Sequence, residues 1–331
     1  MSDRDRTPSP KCVICGHGAG YHDGPEGGSE PGGTCHHVDC PCADWMAPIA
    51  EPGIYDIPAD QYHADPVAGG SLSSSGARQL LPPGCPARFR HDQDHGGDDH
   101  RPHFDLGHAA HRLVLGDGPD IIEIEADNWR TNTAKEQRDE AYATGAVPLL
   151  TADYQTVIDM AAAIATHPVA SALFAPDRGK PEQTLVWRDD RTGIMRRSRI
   201  DWLPDVQPGR RLLVADYKTC HSADPEALSK ASHQFGYHQQ ADWYLAGCRA
   251  LGLADDTAAF VFVAQEKHPP YLVTVFELDH VAMRIGAARN RRAIDVYQHC
   301  HQTGEWPPYV DGVTQLALPR WAEIEEGEHL T

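Results

Sequence analysis

Lysine is scarce in this chain. Six lysines and 23 arginines stand against 48 acids in 331 residues, a net charge of −19. That balance leaves no polybasic tail of the kind that grips nucleic acid or an anionic membrane without regard to sequence. Long apolar runs are missing as well: there is no stretch of eighteen or more apolar residues and no charged-then-apolar leader. The expectation is a protein of the cytoplasm, in a bacterial or phage-infected host cell, that neither spans a membrane nor leaves through a signal peptide. A disulfide framework is absent too, since five of the nine cysteines crowd into residues 12–42 while Cys85, Cys220, Cys248 and Cys300 are scattered singly. Buried free thiols are the reading for those four. No internal repeat breaks the chain, and at 40% hydrophobic it can bury one large core plus a small appendage.

What the chain does hold is a single acid-x-Lys triplet, Asp216-Tyr217-Lys218, inside the branched run Leu212-Leu213-Val214-Ala215-Asp216-Tyr217-Lys218-Thr219. This composition yields about one such triplet by chance, so its neighbours decide what it means. The run reads as a buried strand, with Gln207-Pro208-Gly209-Arg210 as the turn before it and Ile194–Leu203 as the preceding strand. Side chains two apart share a strand face, which puts Asp216 and Lys218 on one side and Ala215 and Tyr217 on the other. A hairpin then returns Asp201 beside Asp216. Two carboxylates on one edge can hold Mg²⁺ or Mn²⁺ against a phosphate oxygen, because hard cations prefer oxygen ligands. Such an ion polarises phosphorus and acidifies a bound water, and Lys218 would orient that water or offset the developing charge. The competing reading is an ordinary salt bridge between Asp216 and Lys218.

Two flanking helices supply further groups. Phe104 to Leu115 reads as a short helix with His108 and His111 on one face, and Tyr237 to Leu245 as a helix with Tyr237, Gln240 and Tyr244 along one stripe. In this order His111, Asp201, Asp216-x-Lys218 and Gln240-x-x-x-Tyr244 resemble the PD-(D/E)XK nuclease superfamily in its RecB-like branch. Further segments are similar to the RecE-type, exodeoxyribonuclease VIII-like phage exonucleases. They are Gly53-Ile54-Tyr55-Asp56-Ile57-Pro58 with Tyr62-His63, Leu72-Ser73-Ser74-Ser75-Gly76-Ala77-Arg78, Arg199-x-Asp201, Trp306-Pro307-Pro308-Tyr309 and Leu318-Pro319-x-Trp321. The likeness covers roughly residues 52–322.

The resemblance implies an α/β fold with a restriction-endonuclease-like core, a central mixed β-sheet flanked by helices. It implies His111, Asp201 and Asp216 as ligands of Mg²⁺ or Mn²⁺, Lys218 as the catalytic lysine, and Gln240 and Tyr244 as a helix motif at the site, in contact with DNA or Lys218. His108 is read as a packing residue. Tyr237 and Arg199 are candidate DNA contacts; Arg199 either clamps a phosphate bidentately or pairs with Glu182 or Asp205. Glu182 either matches an acid of the family or is a solvated strand end. Gln265-Glu266-Lys267 falls where the family has polar DNA contacts, with Glu266 itself read as a solvated strand end. Iron–sulfur relatives need a tight cysteine trio after the core, which this sequence lacks.

The activity implied is a metal-dependent exonuclease that degrades one strand of linear double-stranded DNA, 5′ to 3′, and exposes 3′ single strands for homologous recombination. A RecT-type single-strand annealing protein is the implied partner and a homo-oligomeric ring the implied assembly. Two other readings stay open: a related RecB-like endonuclease or single-strand nuclease, and a catalytically silent DNA-binding or adaptor protein.

The N-terminus carries a separate signal. Cys12-x-x-Cys15-Gly16-His17, His22, Cys35, Cys40 and Cys42 have the spacing of a zinc module rather than of disulfides. One tetrahedral Zn²⁺ needs four ligands, taken as Cys12, Cys15, Cys35 and Cys40, with His17, His22 and Cys42 as alternates. The module either contacts DNA or a partner, or staples its own segment.

Residues 1–47 thus form this module, 48–103 a linker and lead-in, 104–322 the nuclease core and 323–331 an acidic tail. Helices are predicted near 105–116, 151–166, 225–250 and 278–303, and strands near 182–188, 194–203, 211–219, 258–265 and 271–277. Arg196, Arg197, Arg199, Arg210 and Arg211, with Arg284, Arg289, Arg291 and Arg292 on the last helix, are expected to line a basic channel within an acidic exterior.

Overall fold

The apolar runs of the sequence become the inner strands of one mixed sheet. The computed structural model describes residues 48–95 and 105–327. The proposed zinc ligands Cys12, Cys15, Cys35 and Cys40, with His17, His22 and Cys42, lie outside the described residues. In chain order the strands are β1 (Gly53–Tyr55), β2 (Leu72–Ser73), β3 (Ile121–Ile124), β4 (Val147–Leu150), β5 (Gly179–Arg188), β6 (Met195–Pro204), β7 (Leu213–Cys220), β8 (Ala259–Glu266) and β9 (Val273–Glu277). The helices are α1 (Ala59–His63), α2 (Ser74–Gln79), α3 (Pro86–His95), α4 (Asp105–Leu115), α5 (Asn132–Ala143), α6 (Thr151–Thr166), α7 (Ala170–Leu173), α8 (Pro225–Gln234), α9 (Tyr237–Ala250), α10 (His280–Thr303) and α11 (Arg320–Gly327).

The main sheet runs β1-β5-β6-β7-β8-β9, and β2 adds in parallel to β6. β5, β6 and β7 are antiparallel neighbours, β7 and β8 are parallel, and β9 returns antiparallel to β8. A parallel pair needs a crossover, and α8 with α9 supplies it. Alternation along β7 divides the core. Val214 joins Trp187, Ile200, Trp243 and Phe262 beneath α9 and α10, while Ala215 and Tyr217 join Trp202, Val157 and Met160 beneath α4 and α6. Each of the largest of these buried side chains contributes about 1.5–3 kcal/mol by leaving water, and together they make the sheet a rigid floor.

Local chemistry sets the element ends. Asp224 accepts hydrogen bonds from the Glu226 and Ala227 amides, with Pro225 at the first helical position, so α8 starts there. Asp279 caps α10 at Ala282 N, and Gly304, at φ 75°, ends it. The single helix expected over 225–250 is broken at Gly236, whose φ of 70° terminates α8 and opens α9 at a new angle. A residue with a side chain is strained in that region, and a Cβ at Gly236 would also lie 2.5 Å from Arg78 Cδ. The parallel pair β3–β4 with α5 between them was not foreseen from the sequence. Both strands are four residues long and α5 has only two buried residues, so neither carries a strong period. Among the described residues, no helix is long and apolar enough to cross a membrane.

Candidate active site

The site grows out of a fork between β6 and β7. These strands share one paired position, Trp202 with Ala215, and then part. Beyond that pair the Tyr217 amide donates to Asp201 Oδ2, at 3.0 Å, instead of to a backbone carbonyl. A carboxylate therefore sits in the seam of the sheet, where groups from both faces can reach it. From the α4 side His111 Nδ1 lies 3.9 Å from Asp201 Oδ2, its ring held 5.0 Å from that of Tyr217. From the α9 side comes Asp216, fully buried, with Lys218 two residues on and on the same face.

Asp216 is held at both oxygens. Gln240 on α9 donates its amide to Oδ1 at 2.6 Å, and Lys218 Nζ lies 2.6 Å from Oδ2. The second contact is one of charge, because Oδ2 is buried and has no well-directed hydrogen bond. Gln240 is itself placed by α10: Asn290 donates to the neighbouring Gln239 carbonyl at 2.8 Å and to Asp242 Oδ2 at 2.9 Å.

A third acid completes the group. Glu182 lies within β5, not at its start, and takes φ 53°, which is uncommon for a residue other than glycine. The ladder to β6 pairs Pro181 with Trp202 and Gln183 with Ile200, so Glu182 stands opposite Asp201 without a regular pairing. Arg199 Nε donates to Glu182 Oε2 at 2.5 Å and its Nη1 to the Ile57 carbonyl at 2.6 Å. Of the two readings left open for Glu182, the solvated strand end is corrected; for Arg199, the pairing with Glu182 is what the structure contains. Ligand atoms of His111, Glu182 and Asp201 lie within 4.8 Å of one another.

Crowding of charge shows in the titration of these groups. Burial, then the Asp201 charge, pushes Asp216 up to about 6 against the pull of Lys218. Burial, then Asp201, pushes Glu182 up to about 7 against Arg199. Asp201 is also raised by burial, with Lys218 and the Tyr217 amide opposing. Burial works against the Lys218 ammonium, but Asp216 and Asp201 overcome it and hold the pKa above the ordinary lysine value. Burial, then Lys218, lowers His111 to about 4, so its imidazole is neutral and offers a lone pair. Three acids with one lysine and one arginine leave excess negative charge in a desolvated place, which a divalent cation would relieve. The donor set, carboxylates with one imidazole, suits a hard or borderline divalent ion.

Glu182, Arg199, Asp201 and Lys218 line one end of a cleft of about 380 Å³, with His111 in contact through Asp201 and Asp216 through Lys218. Tyr237, Gln240 and Tyr244 form one wall, as the helical stripe requires, and Ser74, Ser75 and Arg78 of α2 form another. Arg78 was quoted in the serine run but given no role. Its guanidinium donates to the Phe235 carbonyl at the end of α8, and the one signal of its importance in the sequence is the glycine, Gly236, across from it.

Of the arginines expected to line a basic channel, Arg199 lines the cleft, but several others do not. Arg196 is buried between the rings of Trp187 and Trp243 and pairs with Asp189, and Arg197 is buried against Asp65 and Ser71. Arg210 and Arg211 lie at the far hairpin end, in a separate hollow, and Arg291 binds Asp189. Gln265 is fully buried, bonded to the Tyr217 hydroxyl and the Met160 carbonyl. Glu266 is buried and accepts the Ala223 amide at 2.9 Å, which corrects its reading as a solvated strand end.

A family profile described as "PDDEXK-like domain of unknown function (DUF3799)" matches residues 73–317. No curated protein matches the chain. The crystal structure of an exonuclease candidate from Eubacterium rectale, at 2.19 Å resolution, is similar over 75% of this chain and 91% of its own, with a TM-score of 0.50 and 11% identity. That likeness is one of fold, and it agrees with the mixed sheet flanked by helices described above.

Proposed function

Because the chain belongs to the PDDEXK-like domain family, whose profile spans residues 73–317, we propose that it is a divalent-metal-dependent nuclease acting on DNA at the β6–β7 fork. The observation that carries this reading is that His111, Glu182 and Asp201 bring ligand atoms within 4.8 Å of one another beside a cleft lined by Glu182, Asp201 and Lys218, with Asp216 buried against Lys218.

His111, Asp201 and Asp216 are the proposed ligands of Mg²⁺ or Mn²⁺, with Glu182 as a further oxygen donor. A bound ion would supply Lewis acidity at the phosphate and lower the pKa of water. The rest falls to the chain's own residues. Lys218, charged and anchored to Asp216, positions the attacking water and offsets charge on the phosphate oxygens. Gln240 fixes the rotamer of Asp216, so that its other oxygen stays on Lys218. Neutral His111 donates no charge of its own and therefore adds a ligand without repelling a cation. Arg199 balances Glu182, and Tyr237 and Tyr244 give the strand an aromatic wall to lie against.

The finer reading is an exonuclease that degrades one strand of linear duplex DNA, 5′ to 3′, and leaves a 3′ strand for an annealing protein of the RecT type. It rests on the ordered motif set. The test is cleavage of end-labelled linear duplex and closed circular DNA in Mg²⁺, Mn²⁺ or EDTA. Metal-dependent loss of linear DNA alone, with the 5′ label released first, is the expected result. Cutting of circles would replace it with the endonuclease reading.

A further inference from the structure

Hydrolysis of a phosphodiester moves two protons: one leaves the attacking water and one reaches the leaving sugar oxygen. An ion and Lys218 serve the first, and the second needs a donor of its own. A positioned acid that protonates a leaving oxygen contributes typically about 10²–10⁴-fold, and such acids are His, Glu, Asp, Lys, Tyr or Cys side chains. Most of those lining the cleft are committed. Lys218 is held on Asp216 at 2.6 Å, and Glu182 accepts from Arg199 at 2.5 Å, opposite Asp201. Burial raises Tyr62, Tyr237 and Tyr244, which makes each phenol a poorer acid. Among the described residues lining the cleft one imidazole remains, that of His63. Histidine is the side chain whose ordinary range suits proton transfer near neutrality.

His63 closes α1 and is exposed, while Tyr62 beside it is buried with its ring edge-on to the imidazole, centroids 5.3 Å apart. Two arginines of β6 hold this short helix at its two ends. Ahead of it Arg199 Nη1 donates to the Ile57 carbonyl at 2.6 Å. Behind it Arg197 pairs with Asp65 at 2.9 Å, and its guanidinium lies 5.4 Å from the Tyr62 ring centre. Asp65, at φ 56°, turns the chain there and accepts the Ser71 amide at 2.8 Å. Arg199 stands two residues before Asp201 in β6, about 7 Å along the strand. His63 is therefore carried on an element fixed to the strand that supplies Asp201. Lys218 enters the cleft from β7, 5.9 Å from the Tyr237 ring, and His63 enters it from α1. In-line displacement sets the attacking and leaving oxygens on opposite sides of phosphorus, and two different walls can serve the two oxygens.

We propose that His63 is the general acid of the hydrolysis, giving its ring proton to the leaving O3′. This inference rests on the nuclease reading. The water oxygen forms the new bond to phosphorus while the P–O3′ bond breaks, its electron pair going to O3′. That oxygen takes the proton of the His63 imidazolium and leaves as a 3′-hydroxyl. The proton of the attacking water passes to solvent, and solvent reprotonates the imidazole, so no group is consumed. A histidine at a helix C-terminus also complements the helix dipole. That use needs no cleft and predicts no preference between leaving groups.

A sulfur leaving group tests it. A thiolate departs without a proton, thiols ionising at about pH 8.5, whereas an alkoxide does not. Linear duplex with a 3′-bridging sulfur at the labelled linkage is compared with the same duplex bearing oxygen, in Mn²⁺, using the full chain and His63→Ala. The variant should cut the oxygen linkage about a hundredfold more slowly, and the sulfur linkage within about threefold of the intact protein. His63→Gln, which keeps the bulk and supplies no acid, should behave alike. Melting temperatures measured in parallel should be unchanged, because His63 is exposed. Both variants cutting the oxygen linkage within about threefold of the intact protein would overturn the proposal, as would equal losses on the two linkages. In either case the intact protein still cuts and the nuclease reading stands. An intact protein that cuts neither linkage overturns both.

Discussion

At the scale of single residues, the site trades stability for readiness to bind a cation. Asp216 near 6, Glu182 near 7 and the raised Asp201 are carboxylates whose folded pKa values exceed the usual range. For such groups the folded state binds protons more tightly than the unfolded chain. Their stabilising contribution is complete below about pH 4 and is lost as pH rises through the folded values. Between about pH 5 and 7.5 these carboxylates should therefore lower the thermal stability of the metal-free protein, offset in part up to about pH 6.5 by His111, whose pKa is lowered to about 4 and which gains stability as pH rises. Glu182→Gln should flatten that slope, and Mg²⁺ should raise the melting temperature at pH 7.5 more than at pH 5. Thermal unfolding in EDTA and in Mg²⁺ at both pH values checks this; a slope unchanged by the substitution and by Mg²⁺ would contradict it.

At the scale of elements, the site depends on how α9 lies on α10. A Cβ at Gly286 would fall 2.0 Å from the His238 carbonyl, so the two helix backbones touch there, and Asn290 locks the next turn through Gln239 and Asp242. Gly286→Ala should push α9 off its seat, cost about 1–3 kcal/mol and withdraw Gln240 from Asp216. Chemical denaturation and cleavage rate measured together should both fall. Retained stability with full activity would show that α9 is not held this way. The strands and helices that carry this geometry were legible in the sequence, because each has a long apolar run or a firm cap. β6 and β7 fall within a residue or two of where periodicity put them, whereas α9 was read as the second half of one helix over 225–250. The fork was not legible, since nothing in the sequence says that β6 and β7 part after a single pair. Glu182 was undecided for the same reason: its unusual backbone, not its neighbours in sequence, turns it toward Asp201. The arginines misled because Arg-rich composition does not distinguish a guanidinium stacked on Trp187 and Trp243 from one facing solvent.

For the whole molecule, the net charge of −19 remains the feature least suited to binding DNA. With Arg196 and Arg197 used inside the fold, the cations lining the cleft are Arg78, Arg199 and Lys218. Affinity for a phosphate strand then depends heavily on the ion bound beside them, and an acidic exterior keeps the chain off bulk DNA. The central claim is that the β6–β7 fork cuts phosphodiesters with a divalent metal and Lys218. The most direct measurement compares Mg²⁺-dependent cleavage of labelled linear duplex by the intact protein and by Lys218→Ala, with DNA affinity measured in parallel in Ca²⁺. Cleavage by the intact protein that vanishes in EDTA and falls at least about a hundredfold in the variant, with affinity changed only severalfold, is the result expected. No cleavage in any metal, or equal cleavage by the variant, would contradict it.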